Sequence, residues 1–221
     1  MQQVINTPTQ TPDGTTGPPT SQQDFGKTRK HESWKSAIST ILILIAAPIV
    51  ALSLTAYVFQ SYEVDGPSME NTLQNHDRLI VWKWPRTVSR ISNKPFIPER
   101  GDIVIFVLHG IEQFDPTHSK QLIKRVIALP GERIVIRNNV IKVYNKEHPK
   151  GFNPDKSGTY TIVPSSEQNY IDMVIPKDKI FVAGDNRPNS LDSRIFGPVN
   201  AQDIIGTLAY RIFPINKVKS F

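Results

Sequence analysis

The longest apolar segment of the chain, ILILIAAPIVALSL, lies in an uncharged stretch that runs from Ser36 to Tyr62. A bilayer core about 30 Å thick requires roughly 20 apolar residues in a helix, and this stretch is long enough. Pro48 would kink a helix in water, but transmembrane helices tolerate proline. The sequence therefore predicts a transmembrane helix over residues 36–60, with soluble structure confined to the segments on either side of it.

Two other interpretations of this stretch are open. It could be a signal peptide, but its apolar part exceeds the usual length of about 7 to 15 residues, and a tail of about 35 residues precedes it. It could also be a buried helix of a soluble domain, although its apolar residues cover every side of the helix. The length and the all-round apolar surface favour a membrane-spanning helix.

The charges that flank the uncharged stretch differ in sign. Basic residues precede it and acidic residues follow it: Lys27, Arg29, Lys30 and Lys35 on one side, and Glu63, Asp65 and Glu70 on the other. Lys and Arg are enriched in the cytoplasmic segments next to transmembrane helices. The N-terminus is therefore predicted in the cytoplasm, and everything after Tyr62 on the opposite side of the membrane.

The composition narrows the classes of site that the chain can form. It has 221 residues, no cysteine and a net charge of +6, which suits one domain with appendages and excludes disulfides and thiolate metal sites. The positive charge is compatible with an anionic membrane surface. Because Lys and Arg are scattered rather than clustered, a nucleic-acid partner is not expected. No metal or nucleotide motif is present, so no metal or cofactor is expected.

The chain divides into three predicted parts. Residues 1–35 begin with a segment rich in Thr, Gln, Pro and Gly and are predicted to be a disordered cytoplasmic tail. The helix over 36–60 follows, and residues 61–221 are predicted to form a β-rich domain. Short segments rich in Val, Ile and aromatic residues predict the strands of that domain: residues 77–84, 101–108, 121–129, 132–137, 139–144 and 178–184.

Two local features refine this β-rich prediction. Asn138 and Asn139 separate the apolar runs IVIR and VIKV, which is typical of a hairpin. Residues 146–170 contain HPKGFNP and SGTY and are predicted to be a loop excursion or an insertion. The soluble part shows no sustained helical period of apolar residues, so no helix is expected in it.

Ser68, in the segment GPSMENTL, is a candidate nucleophile that requires a base. His31 precedes the predicted transmembrane helix, and His76, His109, His118 and His148 lie in segments that resemble polar turns. A histidine base is not excluded by the sequence, but no histidine occurs in a recognisable catalytic motif.

Lys124, within QLIKRVIALPGE, is the other candidate base. In a strand it shares a face with Leu122 and Val126, and burial lowers the pKa of an amine because it disfavours the charged form. A change from about 10.4 to near 8 corresponds to roughly 3 kcal/mol, which one buried strand position can supply. An outward-facing lysine on an edge strand is the alternative.

A polar loop, GDNRPNSLDSRIFGPV, follows the last of these predicted strands. It concentrates Asp, Arg, Asn and Ser, and such a loop is expected to be held by its own hydrogen bonds and ion pairs. Within it, Ser190 could orient the lysine amine, as a third group orients the base in a catalytic triad.

Taken in order, GPSMENTL, RLIV, RGDIVIF, KRVIALPGE and GDNRPNSLDSR resemble the motif set of type I signal peptidases. The resemblance extends from the apolar helix to the closing segment YRIFPINKVKSF. It implies a membrane-anchored, mainly antiparallel β-sheet catalytic domain preceded by one transmembrane helix. It also implies a serine endopeptidase with a Ser/Lys dyad that needs no cofactor and removes signal peptides from exported preproteins.

By motif position, the resemblance assigns Ser68 as nucleophile and Lys124 as general base, with Ser190 helping to position the lysine. The backbone N–H of Ser68 would be one oxyanion donor. Some members have a serine two residues before the nucleophile as a second donor. Here Gly66 occupies that position, so a second donor must come from elsewhere.

The polar loop also matches the family. Asp185, Asp192 and Arg194 correspond to its structural residues, and we expect Asp185 to pair with Arg125 and Asp192 to pair with Arg194. Pro188 stands where the family loop often has Asp. Met69, next to the nucleophile, is either a wall of the substrate site or a core residue.

The expected partners are the lipid bilayer and preproteins that carry signal peptides. The expected location is the cell (inner or plasma) membrane, crossed once with the N-terminus cytoplasmic and the catalytic domain extracytoplasmic; a thylakoid-type membrane is the alternative. Ser68 lies nine positions after Phe59 and therefore at most about 30 Å from it, which places Ser68 close to the bilayer.

Two rival functions share parts of this sequence pattern. An autoprotease of the SOS-repressor type shares the Ser/Lys chemistry, but it would lack the apolar helix and carry a DNA-binding head. A membrane-tethered β-domain that binds partners would have the same architecture, with the serine and the lysine incidental.

Overall fold

The computed structural model describes residues 28–109, 119–166 and 170–221. The chain divides into two compact units after Pro48. Helix α1, Thr28–Tyr57, contains the segment Trp34–Tyr57, which is long and apolar enough to cross a membrane, with a mean hydropathy of 2.5.

The predicted bounds of the first helix differ from the observed ones. It begins at Thr28, within the predicted disordered tail 1–35, because no proline or glycine interrupts the chain between residues 28 and 47. It ends at Tyr57 rather than at residue 60, because the next residues pair with a neighbouring strand. The remainder of the predicted tail, residues 1–27, lies outside the described residues.

The second unit, Ile49–Phe221, is built mainly of antiparallel strands, as predicted. The strands are β1 (Phe59–Glu63), β2 (Arg78–Trp82), β3 (Ile103–Leu108), β4 (Lys120–Ala128), β5 (Arg133–Arg137), β6 (Val140–Tyr144), β7 (Ile171–Val174), β8 (Lys179–Ala183), β9 (Val199–Asn200), β10 (Ile204–Phe213) and β11 (Lys219–Ser220). The larger sheet has the order β1-β2-β10-β3-β4-β8-β9, with β11 paired to β10. The smaller sheet has the order β6-β5-β7.

The core lies on these sheets in two main clusters. Val104, Phe106 and Val126 are buried on the larger sheet, while Ile127 and Phe181 pack against the strands of the smaller one. Because successive residues of a strand face opposite sides, the C-terminal half of β4 contributes to both clusters. That half of β4 is therefore buried on both faces.

The hairpin predicted at Asn138–Asn139 is present between β5 and β6. Both asparagines have positive φ, 48° and 62°, as a type I′ turn requires. The segment 146–170 is irregular in its described part except for α3 (Pro154–Ser157) and two isolated bridges. Residues 167–169, near the end of this segment, lie outside the described residues.

The expectation that the soluble part has no helix is wrong. Helix α2, Trp84–Ser92, follows β2, has a proline in its first turn and is capped at its C-terminus by Asn93, which has a left-handed φ of 54°. A nine-residue helix contains too few apolar repeats to give a sustained period. A four-residue helix, α4 (Ser193–Phe196), and three 3₁₀ turns (Arg187–Asn189, Ala201–Asp203 and Ile215–Lys217) complete the fold.

Candidate active site

Ser68 lies half-buried in the loop that joins β1 to β2. Gly66, two residues before Ser68, has a φ of 98°, a conformation that glycine adopts far more readily than other residues. Its N–H donates to Asn75 Oδ1 at 2.9 Å. The next residue, Met69, is fully buried and packs with Val64 and Leu73, so of the two interpretations of Met69 the structure supports the core residue.

Lys124 lies on β4, which pairs with β3 along one side and, from Arg125 onward, with β8 along the other. Its side chain is buried, so the alternative of an outward-facing lysine is excluded. The side chain is 2% exposed, and Nζ lies 2.8 Å from Ser68 Oγ. The loop and the strand thus bring together the two residues predicted as nucleophile and base, 56 positions apart in the chain.

Burial is the main influence on the Lys124 amine. It lowers the pKa from 10.5 to about 8, against the opposing influence of the Asp192 carboxylate. The Ile123 carbonyl accepts a hydrogen bond from Nζ at 2.8 Å. A substantial fraction of the amine is therefore neutral slightly above neutral pH, which is the form a general base requires.

The hydrogen bond expected from Ser190 to Lys124 is not formed. Ser190 Oγ is buried and has no hydrogen-bond partner among the described residues. The carbonyl of Ile123 orients the amine in its place. Strand periodicity gives no information on which backbone carbonyl a side chain reaches, so the sequence could not indicate this contact.

The two ion pairs predicted in the polar loop are both present. Arg125 donates to Asp185 through Nε at 2.8 Å and Nη2 at 2.6 Å. Arg194 donates to Asp192 through Nε and Nη2, each at 2.8 Å. Asp192 also accepts from the N–H of Gly184 at 2.9 Å, so the loop is tied both to itself and to β4.

The sequence did not predict the contacts that hold the nucleophile loop, which joins β1 to β2 and carries Ser68, against the polar loop. The N–H of Asn186 donates to the Ser68 carbonyl at 3.1 Å, and Asn186 Nδ2 donates to Glu70 at 2.9 Å. Thr72 donates to Asp185. Glu70 and Thr72 belong to GPSMENTL, so their place in this motif could have indicated that they support the site. Gly184 permits this approach, because a Cβ there would lie 2.4 Å from the Ser68 carbonyl oxygen.

The segment 146–170 also supports the site, although the sequence predicted only that it is a loop excursion or an insertion. Arg187, in the polar loop, forms a two-point ion pair with Asp155, and its Nε donates to the Gly184 carbonyl at 2.9 Å. The guanidinium of Arg125 stacks 4.0 Å from the centre of the Tyr160 ring. Burial raises the pKa of Tyr160, so its hydroxyl stays neutral beside this network.

A groove of about 390 Å³ opens at Ser68 and Lys124. One wall is the segment from Tyr62 to Ser68, and the other is β4 from Lys120 to Lys124. No histidine lines the groove in the described part of the chain. His76 contacts Glu63, and His109 lies near Asp203, so neither acts on Ser68. His118 and the side chain of His31 lie outside what the structure describes.

A serine hydroxyl beside a buried amine, on an antiparallel β-domain that follows an apolar helix, defines the class of protein as a serine hydrolase. The family model for signal peptidase, peptidase S26, matches residues 36–213. The chain therefore belongs to the signal peptidase family, peptidase S26, and the resemblance noted in its motifs is confirmed.

Two relatives agree with the family match by sequence. Signal peptidase I P of Bacillus subtilis subsp. natto is 33% identical over 200 residues, which cover 88% of this chain and 98% of the relative. Probable signal peptidase I-1 of Synechocystis is 32% identical, covering 83% of this chain and 86% of the relative. A solved signal peptidase I of Enterococcus faecalis is 28% identical and covers 51% of this chain and 97% of its own, with a TM-score of 0.35.

Proposed function

We propose that this chain is a membrane-anchored serine endopeptidase that cleaves signal peptides from exported preproteins, with Ser68 as nucleophile and Lys124 as general base. Signal-peptide cleavage is the activity of the family to which the chain belongs. The observation that carries the assignment of residues is the 2.8 Å distance between a buried lysine amine and the serine hydroxyl.

The chemistry follows from that distance. The neutral amine of Lys124 removes the hydroxyl proton as Ser68 Oγ attacks the scissile carbonyl carbon. The negative charge develops on the carbonyl oxygen, where the Ser68 N–H donates a hydrogen bond. The protonated amine then gives its proton to the leaving amino group. Water releases the acyl group in a second cycle that uses the same base.

The second oxyanion donor is not the backbone of Gly66, because that N–H is already donated to Asn75. The supporting roles fall to Arg125, Asp185, Asp192 and Arg194, which fix the polar loop beside Lys124. Each of them acts on the geometry of the catalytic pair rather than on the substrate.

The groove suits an extended peptide. β8 pairs with β4 only from Arg125 onward, so residues 120–124 have β3 on one side and no described strand on the other. A substrate strand can form backbone hydrogen bonds with that free edge, and the side chains around the groove then select its residues. No metal or cofactor enters the reaction.

The membrane assignment rests on the apolar part of α1. Residues 1–35 are proposed as the cytoplasmic tail, the helical residues 36–57 as the single membrane span, and the residues from β1 onward as the extracytoplasmic catalytic domain. The hosting membrane is proposed to be the cell (inner or plasma) membrane, with a thylakoid-type membrane as the alternative. The flanking charges set this orientation.

The pH dependence of cleavage tests the base directly. Because the amine must be neutral, kcat/KM for a signal-junction peptide in detergent should rise with a midpoint near pH 8 and fall about tenfold per unit well below it. Acylation of Ser68 by a serine-directed inhibitor should follow the same midpoint. A midpoint near 6.5, the ordinary value of histidine, would contradict the assignment.

Ser190 tests the positioning of the amine. Its unpartnered hydroxyl and the carbonyl of Ser68 both lie against Gly184, so the hydroxyl is next to the loop that carries the nucleophile. Ser190→Ala is expected to lower kcat several-fold with little change in KM and to move the pH midpoint. Ser193→Ala is the control, because the hydroxyl of Ser193 accepts from the N–H of Val182 and its loss should leave the midpoint unchanged. An unmoved midpoint in Ser190→Ala would assign Ser190 to packing alone.

A further inference from the structure

Helix α2 carries three large apolar side chains that the protein does not cover. Trp84, Val88 and Ile91 are 47%, 42% and 82% exposed, and no residue of the helix is buried. Their spacing of four and then three residues places them on one face of the helix. This face is apolar and lacks a packing partner of matching size within the described chain.

The surroundings of α2 are basic. Lys83, Arg86, Arg90 and Lys94 lie in or beside the helix, and no Asp or Glu occurs from residue 83 to residue 98. Among the described residues neither Arg86 nor Arg90 forms an ion pair, and Arg86 Nε is buried without an acceptor. The carboxylate of Asp203 lies near Arg86 but forms no ion pair with it in the described chain. The helix therefore combines an apolar face with arginines that no salt bridge neutralises.

The position of α2 is fixed by the end of α1. Lys83 Nζ donates to the carbonyls of Thr55 and Ala56 at 3.1 and 2.9 Å. Thr87 Oγ1 donates to the Tyr57 carbonyl at 2.8 Å. These are carbonyls of the last turn, which have no partner within the helix itself. The start of α2 thus lies where the apolar helix ends.

The positions of the tryptophans also suit a membrane interface. The chain has three tryptophans: Trp34 starts the apolar segment of α1, while Trp82 and Trp84 follow its other end in sequence and flank Lys83. Tryptophan is enriched at both interfaces of a membrane, where its ring occupies the level of the lipid headgroups. Trp84 therefore marks α2 as a segment suited to that level.

We propose that α2 is a membrane-interface helix. Trp84, Val88 and Ile91 enter the boundary between headgroups and acyl chains, and Arg86 and Arg90 bind anionic headgroups. This inference rests on the proposal that α1 spans the bilayer. An amphipathic helix with a basic polar side binds anionic bilayers in this manner.

Interface binding would orient the active site. A groove of about 910 Å³ runs between Leu54 and Ile91 and shares Tyr62 and Gln121 with the groove at Ser68. With α2 at headgroup level, this continuous surface would lead from the bilayer to the nucleophile. A preprotein held in the membrane by its apolar segment would then meet the groove without leaving the lipid.

The chain contains no cysteine, so a single introduced cysteine can be labelled specifically. The full-length Ile91→Cys protein, labelled with a nitrobenzoxadiazole fluorophore, would be reconstituted into vesicles of phosphatidylcholine and phosphatidylglycerol. We expect brominated acyl chains to quench this label at least twofold more than a label at Val140→Cys, an exposed position on β6. Aqueous iodide should show the opposite preference.

Other results would contradict the proposal or separate it from the membrane span. Equal quenching at the two positions overturns the inference, and shielding from iodide without quenching by brominated lipid overturns it in favour of a contact with a second copy of the chain. A label at Leu44→Cys, within α1, tests the membrane span separately. If the Leu44 label is quenched and the Ile91 label is not, only the α2 proposal is rejected.

The double variant Arg86→Gln, Arg90→Gln should reduce quenching at Ile91 to the level found in phosphatidylcholine alone. Unchanged quenching would refute headgroup binding.

Discussion

Replacement of Lys124 by methionine is expected to abolish signal-peptide cleavage, with kcat/KM lowered by about a thousandfold or more. Methionine has a similar length and suits a buried site, but it has no lone pair of sufficient basicity to take the proton of Ser68. Ser68→Ala should give a loss of the same size. Because the two residues act as one unit, the double variant should be no less active than either single variant.

The measurement is cleavage of a purified preprotein by the detergent-solubilised full-length enzyme, followed by the appearance of the mature fragment. Lys142→Met is the matched control, because Lys142 is an exposed lysine on strand β6 of the smaller sheet and should leave the rate within twofold. If both Ser68→Ala and Lys124→Met still cut at the signal junction, the catalytic assignment is wrong. A membrane-tethered binding domain would then be the better description of the chain.

Asp185→Ala is expected to destabilise the folded protein by about 3 to 5 kcal/mol. The carboxylate of Asp185 is fully buried against the guanidinium of Arg125, so its removal leaves a buried positive charge without a partner. The same substitution frees Thr72, whose hydroxyl donates to Asp185. Cleavage should fall together with stability, since this contact joins the nucleophile loop to the polar loop.

Asp172→Ala is the matched control for that experiment. Asp172 forms the same two-point contact with Arg133, but on the exposed surface of the smaller sheet, where ion pairs contribute little. Urea unfolding of both variants in detergent, followed by near-ultraviolet circular dichroism, separates the two cases. Equal losses for Asp185→Ala and Asp172→Ala would show that burial does not make the Arg125–Asp185 pair important.

The sequence predicted those features that depend on local pattern. Alternation along KRVIAL indicated that Lys124 shares a face with apolar residues, and the two asparagines indicated the turn between β5 and β6. Motif order further paired Asp185 with Arg125. In each case the information lies within a few neighbouring residues or within a recognised motif.

Features that depend on distant pairing could not be predicted in the same way. The central position of β4 depends on β8, whose register with Arg125 and Val126 has no local signal. The ion pair of Arg187 with Asp155 joins residues 32 positions apart. Strand β10 contains Gly206, which weakens the sequence pattern of a strand. Its pairing with both β2 and β3 depends on the arrangement of the whole sheet, which no local pattern indicates.

Burial of the lysine amine also links the folding equilibrium to protons. The pKa is about 8 in the folded protein and 10.5 in an ordinary exposed lysine, so between these values the unfolded chain holds a proton that the folded protein has released. Stability rises with pH where the unfolded state binds more protons. It therefore increases from about pH 8 to 10.5 and is lower by about 3 kcal/mol at neutral pH than above this window.

A variant without this amine would therefore be more stable to unfolding at neutral pH. A library of variants selected only for heat resistance at pH 7 is expected to accumulate apolar replacements at position 124 and to lose its enzymatic activity as it does so. A useful thermostable form of this peptidase would have to be selected for turnover and for survival at the same time.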